Sequence, residues 1–224
     1  MNTTAIDSSK YAGMPSVSPF LKWPAILLSY VFHPIFIPLY AAVFIVYIHP
    51  SYFSGFSAAS KLKTILILMQ NAVFYPLFCV LLLKGVGFIQ SVFLRTQRDR
   101  IIPYIAAGIF FFWAFLVFKQ QPAFPRILPC FILGVFLASS AALIANIYFK
   151  ISMHAIGLGG LVGIFMIIAN TNSMLMTWPL AAALLITGLV CSARLLITDH
   201  TPKDIYSGLI IGWLSQQVAA IILL

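Results

Sequence analysis

Arg194, His200 and Asp204 fall within eleven residues of a chain that has only four acidic side chains (Asp7, Asp99, Asp199 and Asp204) and no glutamate. Ionisable groups are expensive to place in an apolar helical chain, so a fixed cation, an imidazole and a carboxylate this close together mark a site. A second pair, Ser152 and His154, stands just before another apolar segment, and Arg95, Arg98 and Arg100 precede a third. Phosphate chemistry uses these residue types. Guanidinium groups hold the phosphoryl oxygens, one imidazole attacks phosphorus and a second gives a proton to the departing oxygen.

The elements that must position them are membrane helices. The 224 residues are 62% hydrophobic and 8% charged, too apolar for a soluble domain of this length. Seven apolar segments can be marked, at about 24–48, 64–90, 103–118, 127–148, 154–170, 178–197 and 204–224. The expected fold is all-α, a polytopic membrane helical bundle of about six to seven transmembrane helices. Residues 1–22 form a polar N-terminal tail without the order of a signal peptide, and 23–224 a single domain. His33-Pro34 and Pro38 interrupt the first segment, and Asn71, Pro76 and the Gly85/Gly87 pair make the second irregular. The net charge of +9 has no soluble face on which to bind nucleic acid, and its cations fall at segment ends, where headgroups and anionic substrates lie. Cys79, Cys130 and Cys191 are isolated in apolar runs, so they are neither a disulfide framework nor a metal cluster.

Parity unites the clusters. Two segments separate the arginines from Ser152 and His154, and two more separate those from Arg194–Asp204. All three clusters are therefore expected on one side of the membrane. The small residues Gly157, Gly159, Gly160, Gly163, Gly208 and Gly212 would let the helices carrying them approach closely.

Thr201-Pro202-Lys203-Asp204 reads as a helix start, with Thr201 as cap, Pro202 at the first position and Asp204 at the third. His200 then sits where free backbone N–H groups favour an anion. Asp204 has two readings: a helix cap alone, or the group that orients the His200 imidazole. Arg194 also has two, a phosphate ligand or a side chain snorkelling to headgroups. His33 has no acidic neighbour in sequence and reads as a hydrogen-bonded residue at a kink. No spacing typical of a metal or haem site occurs, and no cofactor is expected.

Arg194 and His200, separated by five residues, then Asp204 after three more, followed by Ile205, Gly208 and Gly212, resemble the third signature of the type 2 phosphatidic acid phosphatases. That superfamily includes the vanadium haloperoxidases and glucose-6-phosphatase. The resemblance implies that His200 is a nucleophile forming phosphohistidine, that Asp204 activates it and that Arg194 binds phosphate. The family has Ser before this Arg, where Ala193 stands here. Ser152-Met153-His154 is similar to the second signature, Pro-Ser-Gly-His, with Ile151 for the proline and Met153 for the glycine. It implies that Ser152 contacts phosphate and His154 protonates the leaving group. The first signature, a Lys, six residues and Arg-Pro, is not matched by Arg95–Pro103, although Arg95, Arg98 and Arg100 supply donors there.

The expected function is metal-independent hydrolysis of a lipid phosphate or diphosphate drawn from the bilayer. Two rivals stand beside it. One is a phosphate-lipid-binding or transport protein that keeps the pocket without the chemistry. The other is a proton- or cation-coupled transporter with His154, His200 and Asp204 as a relay that only Asn71 and Asn146 could extend. Apart from the site cations, five lysines lie on the side of the site and four cations on the other, which leaves orientation undecided. The resemblance leans toward a site facing outward or into the periplasm, and compact loops without a signal peptide suit a bacterial inner membrane protein.

Overall fold

The computed structural model describes residues 18–92, 94, 96–171, 176–197 and 200–224. Arg95 and residues 1–17 of the expected tail lie outside them. The regular structure of the described residues is helical: α1 Pro19–Val31, α2 Ile37–Val43, α3 Ala58–Met69, α4 Tyr75–Gly85, α5 Gln97–Lys119, α6 Ile127–Tyr148, α7 Met153–Thr171, α8 Thr177–Ile197 and α9 Pro202–Leu223. A π-helical turn, Gln70–Phe74, joins α3 to α4, so Ala58–Gly85 is one span; the wider turn directly precedes Pro76, which cannot donate a backbone hydrogen bond. With α5 to α9 this makes six described helices long and apolar enough to cross a bilayer. The chain is an all-α integral membrane protein.

The stretch 24–48 is not one segment. The helix begins at Pro19, within the expected tail, and ends at Val31; the chain turns through residues 32–36 and restarts as α2, which a π turn extends to Ile48. The cause is local. The residue before a proline is pushed out of the α region, and His33 precedes Pro34. The turn reverses the path. The Tyr40 hydroxyl donates to the Val31 carbonyl at 2.8 Å, closing α2 back on α1. Ile37 then packs at Gly157 near the start of α7, and Phe44 packs on Phe165 toward its other end. So α1 ends beside the start of α7, and α2 leads away along it.

α6 and α7 are the most enclosed spans and Ala58–Gly85 the least. The tightest crossing is α7 on α9. A Cβ on Gly159 would run into the Leu209 backbone, and one on Gly212 into the Ile156 carbonyl and, at 2.8 Å, the Gly160 nitrogen. Helix backbones in contact at this range are what small residues permit in a membrane, where no hydrophobic force joins helices. Gln216 of α9 lies over Gly134 and Gly163, its amide donating to the Phe131 carbonyl at 3.3 Å. The start of α5 is tied to the last turn of α6 by a reciprocal pair: Gln97 Nε2 donates to the Asn146 carbonyl at 2.6 Å and Asn146 Nδ2 to the Gln97 carbonyl at 2.8 Å. Asn146 is therefore at a helix end and engaged there, which removes it from any mid-membrane relay.

Candidate functional site

Arg194 lies in the last turn of α8 and His200 just before α9. Thr201 caps α9 through its hydroxyl, which accepts the Asp204 N–H at 3.3 Å, while Asp204 Oδ2 accepts the Thr201 N–H at 2.8 Å. The same Oδ2 lies 3.9 Å from His200 Nδ1. Capping and orientation are thus compatible in one geometry. At that separation the carboxylate acts on the ring by its charge, without a hydrogen bond to Nδ1.

The start of α7 meets this turn directly. The Ser152 N–H donates to the Asp204 backbone carbonyl at 3.2 Å, and Ser152 Oγ accepts the Ala155 N–H at 3.4 Å in the manner of a helix cap. Arg100, in the first turns of α5, reaches the same place: its Nη1 donates to the Ile151 carbonyl at 2.8 Å and its Nε to that of Leu94 at 2.9 Å. The α5 start, the α6/α7 junction and the α8/α9 junction are therefore bonded together at one end of the bundle. Parity anticipated this meeting.

The residues do not all stand alike within it. Ser152 is 0% exposed, and His154, His200 and Asp204 are each 8% exposed. Arg100 is buried and spends at least two donors on backbone carbonyls. Arg98 is exposed, and no hydrogen bond or ion pair among the described residues draws it into the cluster. Arg95 is outside the described residues. Arg194 is half-buried, and its charge acts on both His154 and His33.

His154 is held from an unexpected quarter. Its Nε2 lies 3.1 Å from the carbonyl of Ser29 in the last turn of α1. A carbonyl only accepts, so Nε2 carries the proton and Nδ1 is left for chemistry. Beyond it stands His33, whose ring meets that of His154 edge-on with centroids 5.6 Å apart. Sequence reasoning leaves His33 out because it has no acidic neighbour in sequence and reads as a hydrogen-bonded residue at a kink. Its only signal was the His-Pro pair at a break, and the break returns this residue to the site. Among the described residues no three His, Cys, Asp or Glu side chains converge closely enough to hold a metal ion.

Comparison of the chain with protein-family models, with curated proteins and with solved structures finds no match. The geometry has to carry the argument.

Two expected results follow from it. Asp204→Asn retains an oxygen for the Thr201 N–H but loses the charge facing His200. It should change the melting temperature little and lower turnover by about 10–100-fold, the range of a group that orients and charges an imidazole; equal loss of fold and activity would reduce Asp204 to a cap. Arg100→Gln should cost about 1–3 kcal/mol, because the Ile151 and Leu94 carbonyls lose their donor, whereas Arg98→Gln should leave thermal unfolding unchanged. Thermal unfolding of both variants in detergent decides this.

Proposed function

We propose that the chain is a membrane phosphohydrolase that cleaves a phosphate monoester or diphosphate from a lipid through a phosphohistidine on His200. The observation that supports this best is the bonding of the α7 start to the α9 start, Ser152 N–H to Asp204 carbonyl, which sets His154 and His200 on adjoining helix starts. A candidate nucleophile, a candidate acid and a fixed cation then lie at one end of the bundle. The likeness of Arg194, His200 and Asp204 to the third signature of the type 2 phosphatidic acid phosphatases supports the same reading.

In this mechanism Arg194 neutralises the phosphoryl oxygens; the α9 start adds its dipole but few donors, because the cap engages the Thr201 and Asp204 N–H groups and Pro202 has none. His200 Nε2 attacks phosphorus; the N–P bond forms as the bond from phosphorus to the lipid oxygen breaks. Asp204 stabilises the positive charge that develops on the ring. His154, as imidazolium, gives its Nδ1 proton to the departing oxygen while its Nε2–H stays on the Ser29 carbonyl. Neutral His154 then takes a proton from water, whose oxygen attacks phosphorus and releases His200 and inorganic phosphate. The lipid tails remain in the bilayer beside the helices. We place the protein in a bacterial inner membrane with the site toward the periplasm; labelling of single cysteines at the Lys150 end by an impermeant reagent in intact cells tests that side.

The test of function is phosphate release from a panel of phosphatidic acid, phosphatidylglycerol phosphate and polyprenyl diphosphate by the detergent-solubilised protein, with EDTA present. Turnover that survives EDTA, and a label from the phosphate donor that is stable in alkali and lost in acid, are the expected results. One observation favours a second reading. Ser152 and Arg100 have polar atoms engaged by the backbone, as in a protein that binds a phosphate lipid without cleaving it. A thermal shift with the same lipids and no phosphate release would favour that reading.

A further inference from the structure

We propose that His33 is a further anion-binding residue of this site, its Nε2–H donating to a phosphoryl oxygen that Arg194 also holds. The proposal deepens the reading above and rests on it. Place is the first argument. The turn after α1 sets His33 edge-on to His154, and His33 is exposed where Ser152, His154, His200 and Asp204 are buried. A phosphate approaching the buried groups from this side meets His33 at the rim.

Tautomer is the second argument. His33 Nδ1 lies 3.3 Å from the Ile35 nitrogen, whose N–H it accepts. The proton of the neutral ring is then on Nε2, which makes that nitrogen a donor suited to an oxyanion.

Charge is the third. Arg194 of α8 faces both His33 and His154 of α7; His200, before α9, acts on His154 from the other side with Asp204 behind it. From α2, Tyr40 donates its hydroxyl to the Val31 carbonyl and carries no charge. The Arg194 charge and the neighbouring imidazoles oppose an added proton on His33 and His154 until an anion arrives. Although part of its surface is exposed, desolvation by the packed groups around it, then the Arg194 charge, holds His33 below the ordinary histidine value, so it is neutral in the ligand-free site near pH 7. A bound phosphate dianion reverses the field and favours imidazolium. Binding of the dianion should therefore protonate His33, so the wild type should take up more protons per phosphate bound than a variant without a titratable ring.

Two variants separate the donor from the charge. In His33→Asn the shorter side chain keeps an oxygen near the Nδ1 position for the Ile35 N–H but has no group at Nε2. In His33→Gln an amide N–H comes near the Nε2 position and cannot titrate. Orthophosphate is titrated calorimetrically into the full chain in detergent, in two buffers of different ionisation enthalpy, so that proton uptake is read beside affinity. His33→Asn should bind about tenfold more weakly, as loss of one charge-assisted hydrogen bond requires. His33→Gln should stay within about threefold of wild type near pH 8 yet take up fewer protons at pH 7. Melting temperatures confirm that each variant is folded, and either one alone decides the matter. Wild-type affinity and proton uptake in the variants would overturn the role of His33 and leave the phosphate site standing. No orthophosphate binding by the wild type would overturn the phosphate reading itself, and this proposal with it.

Discussion

His200→Ala is expected to lower lipid-phosphate hydrolysis by at least about 10³-fold without unfolding the protein, because a covalent mechanism has no substitute for its nucleophile. His200 is buried, and the cap between Thr201 and Asp204 does not involve its ring. The α9 start should therefore survive the change. Phosphate release and the alkali-stable label should vanish together, while orthophosphate still shifts the melting temperature through Arg194. Residual turnover within about tenfold of wild type would remove His200 from the chemistry. A label that persists in His200→Ala would assign the covalent intermediate to another residue, with His154 the first to test.

Gly212→Ala carries the largest expected structural effect. Its new methyl would be driven into the Ile156 carbonyl and the Gly160 nitrogen, both backbone atoms that cannot swing aside. Overpacking of this kind costs about 1–3 kcal/mol, and more where backbone must move. α7 and α9 would part near the bond from Ser152 to Asp204, so activity should fall along with the melting temperature. Gly188→Ala is the matched control, since nothing lies within 4 Å of a Cβ there. It should melt at or slightly above the wild-type temperature. If the two variants unfold alike, the α7/α9 contact is looser than its geometry implies.

Much of the architecture was legible from residues alone. Segments 127–148, 154–170, 178–197 and 204–224 fall within a few residues of α6 to α9, because a bilayer demands about 20 apolar residues and satisfied backbone from each crossing. The start of α9 was also readable, since Thr201, Pro202 and Asp204 act on backbone within three or four residues of themselves. Parity brought the arginine, Ser152/His154 and Arg194–Asp204 clusters to one end before any coordinate was known. The third segment was read too short: Thr96 caps a helix that begins at Gln97, which puts Arg98 and Arg100 inside it and turns them to different environments.

What the chain determined by itself was the membrane class, the order of the spans and the end at which the polar clusters collect, all consequences of local composition and of counting crossings. Tertiary structure decided which groups share that end in contact. It buried Arg100 against two backbone carbonyls while leaving Arg98 exposed, and it gave Asp204 its cap and its histidine in a single conformation. It also turned the chain at Pro34, so that the Ser29 carbonyl fixes the His154 proton and His33 stands at the rim. Those contacts join residues 125 and 121 positions apart in sequence, and helix periodicity holds no information at that range. Only the packing of α1 beside α7 and α8 brings them together.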